Sequence, residues 1–488
     1  MAPVSRIGGR ALAALLPDLR ALPGPVYTAL SDAVTALVLD GRVATETRLP
    51  SERELAVALQ VSRATVTAAY DALRSRGYLA SRTGSGSYVT VPPGSHPRPS
   101  LARWASADAA DDMIDLSCAA LPAPPGVLAP AIAAAAGALG PYTHADGYDP
   151  AGLAVLRTAV ANRFTGRGVP TSADQVLITS GALHSLDLLL RLIAGPGDRV
   201  LTDLPTYPGA LDAIRANGAR VVPVPLAGPA VVDGVDAGAG WQIDQVTATL
   251  RQTAPRLAYL IPDFHNPTGA LMDADARRAV LRTARQTGTT VVIDESFVGL
   301  GFEPDERPCA SIDPSVICIG SLSKPVWGGL RIGWIRASAE VTSRLAALRA
   351  SIDLGGAVLD QLVAAELFGR LDEILAARLA ELRPQRDALV SALARELPQW
   401  RTSVPRGGLS LWLELDAPLS TPLTLMALPA GVAIVPGSRF GVDGTLERFL
   451  RLPYSLPIDR LDEAVRRLAG VWAQLDRSGA PHRQLVVA

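Results

Sequence analysis

Lysine is almost absent from this chain. Of its 46 basic residues, 45 are arginine and one, Lys324, is lysine. Cysteine is scarce too: Cys118, Cys309 and Cys318 form no disulfide framework and have no metal-ligand spacing, so they read as small apolar residues and no metal site is expected. Neither sign of charge dominates, with 46 basic and 47 acidic residues for a net charge of −1, which excludes a polybasic tail and a disordered acidic chain. The 43 glycines and 39 prolines are scattered without a period, which excludes a collagen-like fibre. Long apolar runs are missing. Ala11–Leu16 is too short for a signal h-region and leads into Pro17 and Asp18. The charge-free stretch from Leu116 to Ala145 is broken by Pro122, Pro124, Pro125 and Pro130, so no membrane helix is expected and the chain reads as cytoplasmic.

What is present is enough apolar residue (48%) for a large core, in a chain of 488 residues that predicts about three domains, or one large and one small. Charge divides it: residues 1–100 carry 11 Arg and 7 acids, a surplus of four positive charges, and the rest is net acidic. An anionic partner for the first part alone follows. Where arginine has replaced lysine almost everywhere, a surviving lysine marks a place that needs a deprotonatable amine, because only a free amine condenses with a carbonyl. The other origin, a retained surface lysine, is decided by the neighbours of Lys324.

The first part reads as a compact DNA-binding unit. Residues 25–39 have helical apolar spacing, Ser51 caps a helix over 52–59 with Glu54 completing a capping box, and Gln60–Val61–Ser62 is a short turn. A second helix runs from Arg63 to about Arg76 with Val66, Ala69, Tyr70 and Leu73 on one face, a helix-turn-helix. Tyr78–Arg82 and Ser87–Val91 flank the glycine tip TGSG as a hairpin wing. The string LPSERELA…VSRATVTAAYDALRSRGYL resembles the winged helix of the GntR family of transcription regulators. That resemblance implies a DNA partner, with Arg53, Ser62, Arg63, Thr65 and Thr67 facing it, Gly84 at the minor groove or backbone, and Arg48 on phosphate.

Beyond residue 140, short Val- and Ile-rich runs at 176–180, 199–204, 220–226, 257–264, 289–297 and 315–323 alternate with helical stretches. This predicts a largely parallel sheet covered on both faces, followed by a strongly helical region and a small α/β end. Lys324 lies in SLSKPVWGGLRIGW, beside Ser321 and Ser323 and seven residues before Arg331. Hydroxyls and a guanidinium suit a phosphate, and the amine suits an aldehyde. The stretch resembles the Schiff-base motif of fold-type I aminotransferases. The resemblance implies pyridoxal 5′-phosphate as an imine on Lys324, its phosphate on Ser321, Ser323, Arg331 and the backbone N–H groups from Gly181 and Ala182. Relatives often follow that glycine with a hydroxyl and an amide; here Ala182 and Leu183 supply neither. It further implies Tyr207 stacked on the ring, Asn266 of HNPTG on the phenolate, Asp294 on the pyridine nitrogen, and Arg451 on an effector carboxylate. Relatives usually place a tyrosine two or three residues after the aspartate; here stand Ser296 and Phe297. Tyr148 resembles the tyrosine that reaches the phosphate across a dimer interface, with Tyr142 as a competitor.

Together these features resemble the MocR (GabR-like) subfamily of GntR regulators. The expected fold class is α/β: a winged helix-turn-helix at 25–91, a Pro-rich linker at 92–112 and an aminotransferase-like domain at 113–478. The resemblance implies a homodimeric, PLP-dependent transcription regulator that senses PLP or an amino compound. The alternative is an active aminotransferase with an accessory DNA-binding domain.

Overall fold

The computed structural model describes residues 6–16, 19–20, 24–39, 43, 46–82, 86–90, 113–227, 231–232, 235–236, 240–303, 306–442 and 444–477. The expected linker at 92–112 and Gly84 at the wing tip lie outside the described residues.

In the first unit, helices Val26–Leu39, Glu52–Leu59 and Arg63–Ser75 pack with the hairpin Leu79–Arg82 and Gly86–Val89. Leu30, Leu37, Leu55, Val66, Tyr70 and Leu73 are almost completely buried in one core, and the Tyr70 hydroxyl donates to Pro50 O at 2.8 Å. Gln60 turns the chain in the left-handed region (φ 55), so its N–H reaches back to the preceding helix while Ser62 starts the next.

Two features differ from the sequence reading. Helix Gly9–Leu15 packs on Glu52–Leu59 and buries Leu12 in the same core, so the folded unit includes residues ahead of 25. The capping box at Ser51 is half made. Ser51 Oγ accepts from Glu54 N at 3.2 Å, but Glu54 Oε1 accepts instead from Gly9 N at 2.7 Å, because the upstream arm offers an N–H that the local sequence does not reveal.

The large unit is built on an eight-stranded sheet. Its order is Val176–Thr179, Gly333–Arg336, Ile317–Ser321, Thr290–Asp294, Leu257–Leu260, Arg199–Leu204, Arg220–Ala227, Gly240–Trp241. The pairs from Ile317–Ser321 through Arg220–Ala227 are parallel, while Gly333–Arg336 runs antiparallel to both of its neighbours. Both faces are covered by separate apolar clusters, which is why the parallel strands read as unbroken aliphatic runs. Pro262 and Asp263 end the fourth expected run, whose strand stops at Leu260. The smaller part carries a four-stranded antiparallel sheet of Arg401–Thr402, Ser410–Glu414, Phe449–Pro453 and Val435–Pro436, backed by helices Leu371–Glu396 and Ile458–Arg477. Ile114–Asp115 pairs in parallel with Val432–Ala433, which ties the start of this unit to its end. No helix among the described residues is long and apolar enough to cross a membrane. Cys309 and Cys318 are buried as expected of apolar residues; Cys118 is exposed, in a stretch outside any strand whose Ser117 and Ala119 carbonyls accept from Arg451 and Lys324.

Candidate functional site

Five strands that run in one direction bring their chemistry-bearing residues to one edge. Asp294 and Ser321 are the last residues of their strands, Tyr207 and Asn266 follow two others, and Gly181 follows Val176–Thr179. The carboxyl edge of such a sheet is where open α/β folds bind ligands.

Gly181 precedes helix Ala182–Ile193 with no side-chain cap, so the first N–H groups of the helix face outward, an arrangement suited to an anion. Arg331 lies across this loop. Its guanidinium donates to Ser180 O and, at 3.3 Å, to Gly328 O. A Cβ at Gly181 would stand 2.9 Å from Arg331 Nη2, and φ there is +117, so only glycine fits. Ser321 Oγ donates to Ile332 O at 3.0 Å and contacts Ser323 Oγ at 2.7 Å; Ser323 N donates to Ser321 Oγ at 3.0 Å. Two hydroxyls, a guanidinium and a helix N-terminus thus share one corner.

Lys324 is half-buried beside it. Its Nζ donates to Ala119 O at 2.7 Å and lies 5.9 Å from the centre of the Phe297 ring. Burial pulls the ammonium below its ordinary range, Arg451 adds to this, and Cys118 and Asp294 oppose it. A larger share of nucleophilic amine follows. Asp294, 7% exposed, accepts from Ser296 N at 2.9 Å and from the Tyr259 hydroxyl at 2.7 Å. Burial pushes the Tyr207 phenol up to about 12, the Asp294 carboxylate adding and Arg451 and Arg331 opposing, so all three groups act on this ring. A Cβ at Gly209 would stand 2.7 Å from the Tyr207 ring, which makes glycine the residue that lets the ring lie flat against the backbone.

Arg451, 6% exposed, donates through Nη2 to Ser117 O, lies 5.0 Å from the centre of the Phe440 ring, and has no partner for Nε among the described residues. Asn266 is likewise buried with no partner for Oδ1 among the described residues. Two unsatisfied buried polar atoms at one cleft are what a polar ligand would complete. Tyr148 stands apart: it is 66% exposed and not in the cleft of its own chain, while Tyr142 packs on the core.

Tyr259 is the site residue that sequence reasoning missed. Burial and the Asp294 carboxylate raise its phenol well above the ordinary range, so it remains a donor. The available signal was a single hydroxyl in the aliphatic run LAYLI, one strand away from the aspartate. Tyr259→Phe is expected to cost about 1.5–3 kcal/mol, the worth of a hydrogen bond to a charged group, read as a lower midpoint in thermal or urea unfolding.

In the first unit, Arg53, Ser62 and Arg63 are exposed and Thr65 and Thr67 partly so. Ser62 caps its helix by accepting from Thr65 N at 3.1 Å, and its Oγ meets Thr65 Oγ1 at 2.8 Å. Glu52 Oε2 accepts from Thr67 Oγ1 at 2.8 Å and pairs with Arg63 Nε at 3.5 Å. Arg48 bridges to Tyr88 of the wing.

The donor set of the cleft fits pyridoxal 5′-phosphate: an anion corner, an amine, a carboxylate held by two donors, and an unsatisfied amide. Bound there, the group would supply an aldehyde for the amine and an electron-withdrawing ring.

Residues 112–468 match the aminotransferase class I and II family, and residues 26–89 match the bacterial regulatory proteins of the gntR family. The uncharacterized HTH-type transcriptional regulator YisV of Bacillus subtilis is 30% identical over 462 residues, covering 88% of this chain and 92% of that one. The probable rhizopine catabolism regulatory protein MocR of Rhizobium meliloti is 31% identical over 334 residues, 64% of this chain and 65% of that one. The structure of LysN, an α-aminoadipate aminotransferase from Thermus thermophilus complexed with N-(5′-phosphopyridoxyl)-L-leucine, superposes with a TM-score of 0.67 at 31% identity, covering 75% of this chain and 94% of that one. With both modules in one chain and a full-length regulator among its relatives, the chain belongs to the MocR-like branch of the GntR family, the pyridoxal-phosphate-dependent transcription regulators that join a winged helix to an aminotransferase class I/II domain.

Proposed function

We propose that Lys324 holds the cofactor as an imine and that an amino compound entering beside it is the signal passed to the DNA-binding unit. The observation that carries this reading is the half-buried amine of Lys324 in the electrostatic reach of Asp294 and Arg451. In this reading Asp294 faces the pyridine nitrogen, Asn266 the phenolate, and Tyr207 the ring. Gly181, Ala182, Ser321, Ser323 and Arg331 hold the phosphate. Arg451 takes the carboxylate of the amino compound: a buried guanidinium with an unused N–H is costly until an anion completes it. The partner is duplex DNA, read through Arg53, Ser62, Arg63, Thr65, Thr67 and Gly84 with Arg48 on phosphate, which implies a cytoplasmic location. The working domains are 25–91, to which the leading helix Gly9–Leu15 is packed, then 92–112 and 113–478, and the unit of function is a homodimer in which Tyr148 of each protomer reaches its partner's phosphate site.

A ligand biases an arrangement only through unequal affinity for the two states. The test is therefore joint. Candidate amino acids are titrated into the PLP-loaded chain while the visible spectrum and DNA binding are followed. One amino acid is expected to shift both at the same concentration. A spectral shift with unchanged DNA affinity, and multiple turnovers with a keto acid, would favour the aminotransferase alternative, for which the complete set of Lys324, Asp294 and Arg451 speaks.

A further inference from the structure

We infer that the arm ahead of the winged helix carries a DNA-backbone contact of its own, at Arg6. This rests on the first unit being the DNA reader, but the arm lies outside the GntR match, which begins at residue 26. Three observations give it a place on the reading surface.

The arm continues the wing's sheet. Arg48 pairs antiparallel with Tyr88 of the wing, Arg6 pairs in parallel with Arg48, and Ile7 N donates to Arg48 O at 3.1 Å. Residues directly opposite in neighbouring strands project to one face, so Arg6 and Arg48 form a row beside the wing. Strands lie about 4.8 Å apart, which puts Arg6 some two spacings, ~10 Å, from the wing strand and extends the row outward. The Arg48 guanidinium already lies over the wing: a Cβ on Gly86 would stand 2.9 Å from its Nε.

The arm is also fixed against the first turn of helix Glu52–Leu59, which bears Arg53. Gly9 N donates to Glu54 Oε1 at 2.7 Å, and Arg6 Nη2 lies 3.5 Å from Glu54 Oε2. That ion pair is 62% exposed on the arginine side and 37% on the glutamate side, in the range where such pairs contribute little. A phosphate can compete for the guanidinium.

Charge completes the case. Arg6 pairs with Glu54 and Arg63 with Glu52, both on the first turn of the helix that also bears the exposed Arg53; with Arg48 that is four arginines against two glutamates. A duplex backbone is the complementary surface.

The experiment needs no operator, because backbone contacts are read on any sequence. The full-length, PLP-loaded chain is titrated onto a short labelled duplex of arbitrary sequence across a salt series. The slope of log K against log salt changes by about 0.9 per phosphate contact. Arg6→Ala is expected to flatten it by about 0.9 for each protomer engaged, Arg6→Lys to keep it, and Arg6→Glu to flatten it further. Thermal unfolding of each variant shows that the fold is intact. An Arg6→Ala slope equal to that of the parent, with DNA binding intact, overturns the contact and leaves the arm a structural prop. A parent that shows no salt-dependent binding overturns the DNA reading of the unit itself.

Discussion

Lys324→Ala is expected to abolish the visible absorption band that PLP gives this protein. Free PLP added to the variant should pass a desalting column without being retained covalently. The effect is all-or-none because no second side-chain amine exists in the chain: the other 45 basic residues are arginines, which have no deprotonated amine near neutral pH. The amine is placed for the task. Its Nζ is directed to Ala119 O, the Phe297 ring closes one side, and burial favours the neutral form that attacks an aldehyde. The parent should therefore form its band more slowly as the pH is lowered through the depressed pKa, while the variant shows none at any pH. Retention of the band in Lys324→Ala would move the imine elsewhere and remove the basis of the proposed signal. DNA binding of the variant is the second readout. If cofactor occupancy sets the arrangement of the units, the variant loses any response to PLP or an amino compound while its salt-dependent affinity persists.

Arg277→Met should lower stability by about 3–5 kcal/mol, the cost of leaving one member of a buried ion pair alone. That corresponds to a drop in melting temperature on the order of 10 °C. Arg277 is 1% exposed and grips Asp263 with both ends of its guanidinium, at 2.7 and 3.3 Å, while Nε donates to Met272 O at 2.8 Å. These bonds pin both ends of the loop that carries Asn266, so the variant should also bind PLP more weakly. The pH dependence has a defined sign. Burial pushes the Asp263 carboxyl up, and Arg277 opposes it. Without the guanidinium the raised carboxyl pKa makes the folded state bind a proton more tightly than the unfolded state. Stability then rises as pH falls toward that pKa, and the deficit of Arg277→Met relative to the parent should shrink. A second substitution, Asp263→Leu, should recover part of the loss by removing the stranded charge, read by thermal unfolding of the double variant.

Much of this architecture was legible because local pattern and tertiary environment agree. The helix-turn-helix faces follow from apolar spacing: Val66, Ala69, Tyr70 and Leu73 are buried together. The parallel strands follow from aliphatic runs that are buried on both faces. What was not legible depends on contacts distant in sequence. Glu54 answers to Gly9, 45 residues away, rather than to its own helix cap. Gly333–Arg336 reads GWIR, with no aliphatic run to announce a strand, and its glycine is needed because Gly181 and Gly320 crowd it: a Cβ would meet their backbone at 2.6–2.8 Å. Tyr259 looked like one more strand residue until the register set its hydroxyl on Asp294. Cys118 reads as apolar by residue type, but it is exposed, in a stretch held by Arg451 and Lys324.

Glu52 has a consequence for how quickly such a reader can scan a genome. It holds Arg63 and Thr67 from within the protein, at 3.5 and 2.8 Å. If Arg63 and Thr67 read bases as proposed, then on duplex of the wrong sequence these internal bonds need not open, and the protein rests on phosphates and stays free to slide. A groove whose edges match would then draw the two side chains off Glu52, from a 2.8 Å bond at Thr67 and from an exposed pair at Arg63 that resists little. In that reading, weak grip during the search and firm grip at the target both come from one acidic residue that need not touch the DNA.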